Sequence, residues 1–211
     1  MSRLPARGLY GITPNGISSS ESGLVRVRHV LQGGAVLLQY RDELADHKTR
    51  IAFGTALVAL CRDHGVPLII NDDPQLAAEL GAGGVHLGEH DPDPARALEV
   101  LGPQAIVGVS CYNDLQRALQ VQQQDISYLA FGSLFASRTK PGARHCPPER
   151  LASFRRQCTV PVVAIGGITH QNGASVIAAG ADFLAVISDL FVAGQELGRA
   201  RQLAALFNQQ E

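Results

Sequence analysis

Short, near-continuous apolar runs recur along the whole chain, and they constrain its fold more than any other feature. The eight runs occupy residues 9–12, 35–40, 67–70, 84–87, 105–109, 128–131, 160–165 and 183–187. Strands that are covered on both faces have this pattern, whereas strands with one solvated face alternate apolar and polar residues. The runs therefore predict eight strands of a parallel sheet.

The segments between the runs have the length and pattern of helices. Leu24, Val27 and Leu31 follow one another by three or four residues, as the buried face of a helix does. Eight strands alternating with eight helices predict an α/β protein of the (β/α)8 TIM-barrel class, with residues 1–211 as a single compact domain. An open doubly wound sheet is the alternative. In both folds, ligands bind at the carboxyl ends of the strands.

Composition excludes several classes of protein. The formal net charge is -1 and 18% of residues are charged, so no electrostatic attraction to nucleic acid or an anionic membrane is indicated. No apolar stretch is long enough to span a bilayer. The 4 cysteines form no Cys-x-x-Cys pair and are expected to be free thiols. With no apolar leader at the N-terminus, these features predict a cytoplasmic protein with neither nucleic acid nor a membrane as a partner.

Two aspartates follow neighbouring strands. Asp72 comes directly after the third run and Asp91 shortly after the fourth. Carboxylates are the ligands that Mg²⁺ prefers, and Mg²⁺ often bridges them to substrate phosphates. The pair therefore predicts a magnesium site. Either residue alone is more often a turn residue or a helix cap, and Asp72-Asp73-Pro74 is also suited to starting a helix. His86, in the fourth run, is expected to be a packed and hydrogen-bonded side chain.

Further polar groups follow the second and fifth runs. Gln39 and Arg41 lie two residues apart, so both can project to one side, and a guanidinium matches phosphate or pyrophosphate oxygens. A surface ion pair of Arg41 with Asp42 or Glu43 is the alternative. Ser110 offers a hydroxyl to a ligand oxygen or ring nitrogen, unless it bonds only to local backbone.

Phosphate-binding groups are expected after the last three runs. The long polar segment 132–147 supplies the hydroxyls of Ser137 and Thr139 and the ammonium group of Lys140. Gly166-Gly167 lets backbone N–H groups approach an anion, and Ile187-Ser188 could complete the cradle. TIM barrels often bind phosphate with the loops after strands seven and eight.

The motifs as an ordered set resemble the thiamine phosphate synthase family of TIM barrels. The matching segments are 8–13 (GLYGIT), 38–42 (LQYRD), 70–73 (INDD), 84–88 (GVHLG), 108–110 (GVS), 131–133 (FGS), 139–142 (TKPG), 163–168 (VAIGGI) and 180–182 (GAD). They keep the family's order and cover nearly the whole chain.

The resemblance implies a reaction and a role for each matched residue. Hydroxymethylpyrimidine diphosphate would lose pyrophosphate, and the nitrogen of hydroxyethylthiazole phosphate would attack the pyrimidine methylene carbon, with Mg²⁺ as cofactor. Asp72 and Asp91 would be the metal ligands. The pyrimidine diphosphate would be bound by Gln39, Arg41, Asn71, Ser110 and Lys140, among which Arg41, Ser110 and Lys140 are the catalytic candidates. The thiazole phosphate would be held by Ser137, Thr139, Gly167, Ile187 and Ser188.

One position departs from the family. Glu43 stands where the family usually has a lysine, and a carboxylate there would repel a diphosphate unless it turned away or was bridged by metal. Two other functions therefore stay open: a thiazole tautomerase, which would need neither paired aspartates nor Lys140, and a non-catalytic protein that binds thiazole phosphate or thiamine phosphate.

Overall fold

The computed structural model describes residues 4–135 and 145–208 and has a closed barrel of eight parallel strands, each followed by a helix. The strands are β1 (Gly8–Ile12), β2 (Ala35–Tyr40), β3 (Leu68–Asn71), β4 (Gly84–Leu87), β5 (Ile106–Tyr112), β6 (Tyr128–Phe131), β7 (Val162–Ile165) and β8 (Phe183–Val186). The helices are α1 (Gly23–Gln32), α2 (His47–Asp63), α3 (Pro74–Leu80), α4 (Pro94–Leu101), α5 (Leu115–Val121), α6 (Pro148–Arg155), α7 (Gly173–Ala178) and α8 (Glu196–Ala205).

The order of the strands around the barrel follows the sequence, and β1 pairs with β8 to close it. The predicted TIM barrel is therefore confirmed, and the open doubly wound sheet is wrong. In the described part of the chain, no helix is long and apolar enough to cross a membrane.

Two apolar layers explain why the strands read as continuous apolar runs. The outward side chains, such as Leu9 and Leu38, pack against the surrounding helices. The inward side chains fill the barrel and include Leu37, Ile69 and Phe183. Because alternate residues of a strand point to opposite faces, both sets must be apolar when both faces are buried.

The inward layer also holds two tyrosines, Tyr10 of β1 and Tyr128 of β6, which are 1% and 0% exposed. A glycine leaves room for the second of them. A Cβ atom at Gly108 of β5 would lie 1.9 Å from Cζ of Tyr128. The pairing of Gly108 with Tyr128 in adjacent strands therefore allows the phenol ring to enter the middle of the barrel.

Candidate active site

A cleft of about 280 Å³ opens at the carboxyl ends of the strands, and it collects many of the side chains that the sequence singles out. Seven of the predicted site residues line it: Gln39, Arg41, Asn71, Asp72, Asp91, Ser110 and Ile187. Gly167 and Ser188 follow β7 and β8 at the same end of the barrel but do not line this cleft. Ser137, Thr139 and Lys140 lie outside the described residues.

Asp72 reaches the cleft because its neighbour starts the helix. Asp73 accepts a hydrogen bond from the backbone N–H of Leu76 and caps α3, in which Pro74 is the first residue. Asp72 has a left-handed backbone with φ 65°, which aspartate tolerates better than most residues. Its N–H donates to the carbonyl of His86 at 2.8 Å, so the backbone of Asp72 still pairs with β4. The helix-starting role thus belongs to Asp73.

Asp91 meets Asp72 from the next loop, and the two carboxyl groups lie beside each other at the cleft. Desolvation and the proximity of Asp91 raise the pKa of Asp72 to about 7, although one side of Asp72 faces the open cleft. Asn71 donates to Asp72 at 2.6 Å, and the N–H of Gly88 donates to Asp91 at 2.6 Å. Two carboxylates held this close can either share a proton or bind a cation.

The wall behind Asp91 is fixed by Arg117 of α5. Its guanidinium donates to the carbonyl of Ser110 at 2.8 Å and to the carbonyl of Gly88 at 3.1 Å. The ends of β4 and β5 are therefore tied together beneath the loop that carries Asp91. Arg117 is not predictable from the sequence as a site residue, because nothing in its local sequence separates it from an exposed helical arginine.

Arg41 is paired with Glu43 across the mouth of the cleft. Its Nε and Nη2 lie 2.7 and 2.6 Å from Oε1 of Glu43, and both residues line the cleft. Asp42 turns the other way and accepts hydrogen bonds from Gly16 and Ser18. The residue that departs from the family therefore faces the site, and in this structure it engages the arginine expected to bind phosphate oxygens.

The floor of the cleft is polar and uncharged. His86 is 9% exposed, and its ring nitrogens lie 3.0 Å from the hydroxyl of Tyr128 and 2.9 Å from Oγ of Ser110. Burial lowers the pKa of His86 to about 4, so the imidazole is neutral near pH 7. Gln39 donates to the hydroxyl of Tyr10 at 2.9 Å. The expectation of a packed, hydrogen-bonded His86 is confirmed.

Backbone groups dominate the opposite side, after β7 and β8. Gly167 has φ 64°, which suits glycine because it carries no side chain. Asp189, in the loop after β8, accepts a hydrogen bond from the backbone N–H of His170, in the loop after β7, and the ring Nδ1 of His170 lies 3.0 Å from the same oxygen. Arg199 of α8 lies 3.5 Å from the other oxygen of Asp189. The two loops expected to cradle a phosphate are therefore joined to each other.

Comparison with known proteins agrees with this geometry. A family model described as thiamine monophosphate synthase matches residues 9–190. The thiamine-phosphate synthase of Methylococcus capsulatus is 44% identical over 204 residues, which cover 97% of this chain and 91% of that protein. The thiamine-phosphate synthase of Azoarcus sp. is 48% identical over 201 residues, which cover 95% of this chain and 97% of that protein.

Solved structures extend the match to the backbone. The thiamine phosphate pyrophosphorylase of Pyrococcus furiosus superposes with a TM-score of 0.87 at 31% identity, covering 97% of this chain and 96% of that one. Both its fold and its sequence are therefore similar over nearly the whole length. By sequence, by structure and by its family model, this chain belongs to the thiamine-phosphate synthase family of transferases.

Proposed function

We propose that the protein condenses hydroxymethylpyrimidine diphosphate with hydroxyethylthiazole phosphate, giving thiamine phosphate and pyrophosphate in a Mg²⁺-dependent reaction. The observation that carries the proposal is the convergence of Asp72 and Asp91 with Gln39, Asn71 and Ser110 in one cleft. Family membership supplies the reaction class, and the cleft supplies groups for each part of the pyrimidine substrate.

The charge around the mouth of the cleft supports a requirement for a divalent cation. Four carboxylates line it, those of Glu43, Asp72, Glu89 and Asp91, against the single guanidinium of Arg41 among the described residues. A diphosphate entering this field would be repelled without a counter-charge. Bound Mg²⁺ would supply that charge and neutralise the departing pyrophosphate.

Asp72 and Asp91 are the proposed ligands of the cation. Within residues 4–135 and 145–208, no cluster of three or more His, Cys, Asp or Glu side chains has the arrangement of a metal site. Two protein carboxylates suit Mg²⁺ nonetheless, because Mg²⁺ usually keeps several waters and takes its other ligands from substrate phosphates. A transition metal that requires a full set of protein ligands fits this arrangement less well.

The chain's own groups would bind and orient the two substrates. The C–O bond between the pyrimidine methylene and the diphosphate breaks, and a C–N bond to the thiazole nitrogen forms. Arg41, Asn71 and Lys140 would hold the diphosphate as its negative charge increases. Gln39 and Ser110 would fix the pyrimidine ring. Because leaving-group stabilisation and positioning suffice for this displacement, no side chain needs to act as a covalent nucleophile.

The thiazole phosphate would bind on the side of β7 and β8. Ser137 and Thr139 would donate their hydroxyls, and the backbone at Gly167, Ile187 and Ser188 would approach the phosphate. Gly167 has a left-handed backbone, φ 64°, with no side chain to obstruct an anion. Bound there, the thiazole would lie next to the pyrimidine, as attack on the methylene carbon requires.

The family match and the cysteines bear on the domain organisation and the cellular location of the enzyme. We infer that residues 1–211 act as one domain, because the family model runs from the first strand past the last one. We also infer a cytoplasmic location, because all four cysteines are free and buried, as in proteins of a reducing compartment.

Pyrophosphate release by the purified protein tests the function. We expect release only when both substrates and Mg²⁺ are present. A protein that binds thiazole phosphate but never releases pyrophosphate would be a binding protein rather than a synthase. Conversion of one thiazole phosphate tautomer into another, without any pyrimidine diphosphate, would identify a tautomerase. Release that persists in excess chelator would overturn the metal assignment.

A further inference from the structure

Five side chains form an unbroken chain of hydrogen bonds across the interior of the barrel. Nε2 of Gln39 donates to the hydroxyl of Tyr10 at 2.9 Å, and that hydroxyl lies 2.9 Å from the hydroxyl of Tyr128. The Tyr128 hydroxyl lies 3.0 Å from Nδ1 of His86, whose Nε2 lies 2.9 Å from Oγ of Ser110. The chain begins and ends at the two side chains proposed to hold the pyrimidine.

The direction of each bond follows from the one before it. The amide of Gln39 donates to Tyr10, and among the described residues Tyr128 is the group left within hydrogen-bond distance to accept the hydroxyl hydrogen of Tyr10, so we assign Tyr10 as the donor of this bond. Burial raises the pKa of both phenols above the usual value, so both keep their protons. Tyr128, having accepted one proton, donates its own to Nδ1 of His86.

The imidazole of His86 continues the chain in the same direction to Ser110. Because Nδ1 accepts the hydrogen of Tyr128, it carries no proton of its own, and the ring proton is on Nε2. Nε2–H then donates to Oγ of Ser110. The hydroxyl hydrogen of Ser110 is left to point into the cleft, which Ser110 lines. At the other end, the side-chain nitrogen of Gln39 donates to Tyr10, which leaves its side-chain carbonyl oxygen to accept a hydrogen bond in the same cleft.

We propose that this chain sets the hydrogen-bond polarity of the pyrimidine site, with Gln39 as the acceptor, Ser110 as the donor, and Tyr10, Tyr128 and His86 as positioning residues. The identity of the ligand rests on the proposed function; the order of the protons does not. Successive hydrogen bonds polarise one another, so reversing one member would require reversing all of them.

The polarity matches an aminopyrimidine. Its amino group is a donor that fits the Gln39 carbonyl, and its ring nitrogens are acceptors that fit the Ser110 hydroxyl. A pyrimidinone, in which an oxo group replaces the amino group, presents an acceptor to the carbonyl of Gln39. The chain therefore selects amino over oxo heterocycles, and a buried mismatch of this kind lowers affinity by about 10- to 100-fold.

Tyr128→Phe is the most informative variant, because Tyr128 is fully buried and does not line the cleft. Phenylalanine keeps the ring in the space that Gly108 leaves, and it removes only the hydroxyl. Without that acceptor for Tyr10 and donor for His86, the imidazole is free to adopt the other tautomer. Ser110 then donates inward and is lost to the ligand.

Steady-state kinetics separate positioning from general damage. For Tyr128→Phe, we expect KM for the pyrimidine diphosphate to rise about 10-fold, with KM for thiazole phosphate unchanged and the preference for amino over oxo pyrimidines reduced. Tyr40→Phe is the matched control, because Tyr40 packs against Phe53 outside the barrel interior, and its kinetics should not change. An unchanged KM and preference in Tyr128→Phe would overturn the proposal.

The tautomer of His86 gives a second test, which depends neither on enzyme activity nor on the Tyr128→Phe variant. We expect ¹⁵N NMR of the wild-type protein to show His86 with an unprotonated Nδ1 and a protonated Nε2, assigned by the signals that disappear in His86→Gln. A proton on Nδ1 would overturn the proposal even in a fully active synthase. Conversely, the expected tautomer in a protein that releases no pyrophosphate would leave the chain intact and contradict only the proposed function.

Discussion

The floor and the rim of the cleft are built on opposite principles. The floor, from Gln39 through His86 to Ser110, is buried and uncharged, and its polar groups are bonded to one another within the protein. The rim is open and charged, with Arg41 paired to Glu43 and the carboxyl group of Asp72 beside that of Asp91. The floor is therefore organised before any ligand arrives, whereas the rim is left for ligand and metal charges to complete.

The interactions of the rim also contribute less free energy than those of the floor. The Arg41–Glu43 pair joins side chains that are 18% and 53% exposed, and pairs of this kind contribute about 0–1 kcal/mol. A diphosphate can displace it at little cost. A break in the buried floor leaves donors or acceptors without partners, at about 1–3 kcal/mol for each group. Substitutions at the rim should therefore change chemistry, and substitutions at the floor should change stability and selectivity together.

Asp72→Asn should have the largest effect, because it removes one of two carboxylates proposed to hold the cation. We expect pyrophosphate release to fall by about 100-fold or more, with the fold retained, since asparagine also tolerates a left-handed backbone. The measurement is the rate of release as Mg²⁺ is titrated, together with the circular dichroism of the variant.

The adjacent residue provides the control for Asp72. Asp73 caps α3, and asparagine caps a helix about as well as aspartate, so Asp73→Asn should keep both its stability and its Mg²⁺ dependence. Equal losses in the two variants would mean that the metal assignment has the wrong aspartate or that neither residue binds metal.

Gly108→Ala should have the next largest effect, and it acts on the floor. The new Cβ would lie 1.9 Å from Cζ of Tyr128, so the ring must move and overpacking should cost about 1–3 kcal/mol. We expect a lower Tm together with a higher KM for the pyrimidine diphosphate. Gly198→Ala in α8 is the control, because its Cβ meets no atom within 4 Å and alanine favours a helix, so its Tm should rise slightly. If Gly108→Ala had a lower Tm but an unchanged KM for the pyrimidine diphosphate, the packing of the floor would not influence pyrimidine binding.

Glu43→Lys should have a smaller effect of opposite sign. The change removes the partner that engages Arg41 and replaces a carboxylate of the rim with a cation. We expect KM for the diphosphate to fall by about 3- to 10-fold, which corresponds to one exposed charge contact. Kinetics at low and high salt measure it, because screening should shrink the difference.

Glu43→Gln separates the two causes of that effect. It frees Arg41 without adding a cation, so it should reproduce about half of the gain. An increase in KM for both variants would show that Glu43 assists the diphosphate site, for example through the metal, and would reverse our interpretation of the rim.

The fold could be predicted from the sequence because one physical requirement governs every strand. Burial on both faces makes each strand a continuous apolar run, and the eight predicted runs agree with the observed strands to within a few residues at each end. Where β5 continues to Tyr112, the prediction ended three residues early, at Val109. That end of the strand carries polar residues toward the cleft, and no apolar signal marks it.

The candidate site was only partly predictable. Asp72 and Asp91 were found from their position after neighbouring strands, because the ends of parallel strands meet at one edge. Tyr10 and Tyr128 were missed, because a tyrosine in an apolar run looks like a core residue until its hydroxyl is seen to meet another. The signal was a glycine in one strand opposite a large ring in the next, and it requires the register of β5 and β6. The sequence likewise does not show that the side chain of Glu43 faces the cleft, because its orientation depends on the contact with Arg41.

Alkylation of the cysteines should have the smallest effect, and it tests whether the chemistry depends on the floor and rim alone. Burial raises the pKa of Cys61 and Cys111 to about 12 and that of Cys146 to about 11, so the thiolate is scarce at pH 8. We expect iodoacetamide at pH 8 to leave activity unchanged and the native protein unmodified by mass, whereas protein unfolded in urea should gain four labels. Rapid inactivation of the folded protein, prevented by the pyrimidine diphosphate, would place a reactive thiol in the cleft. Such a result would contradict a mechanism of charge stabilisation and positioning, which needs no thiol. Cys111, one residue beyond Ser110, belongs to the outer core and has no role in that mechanism.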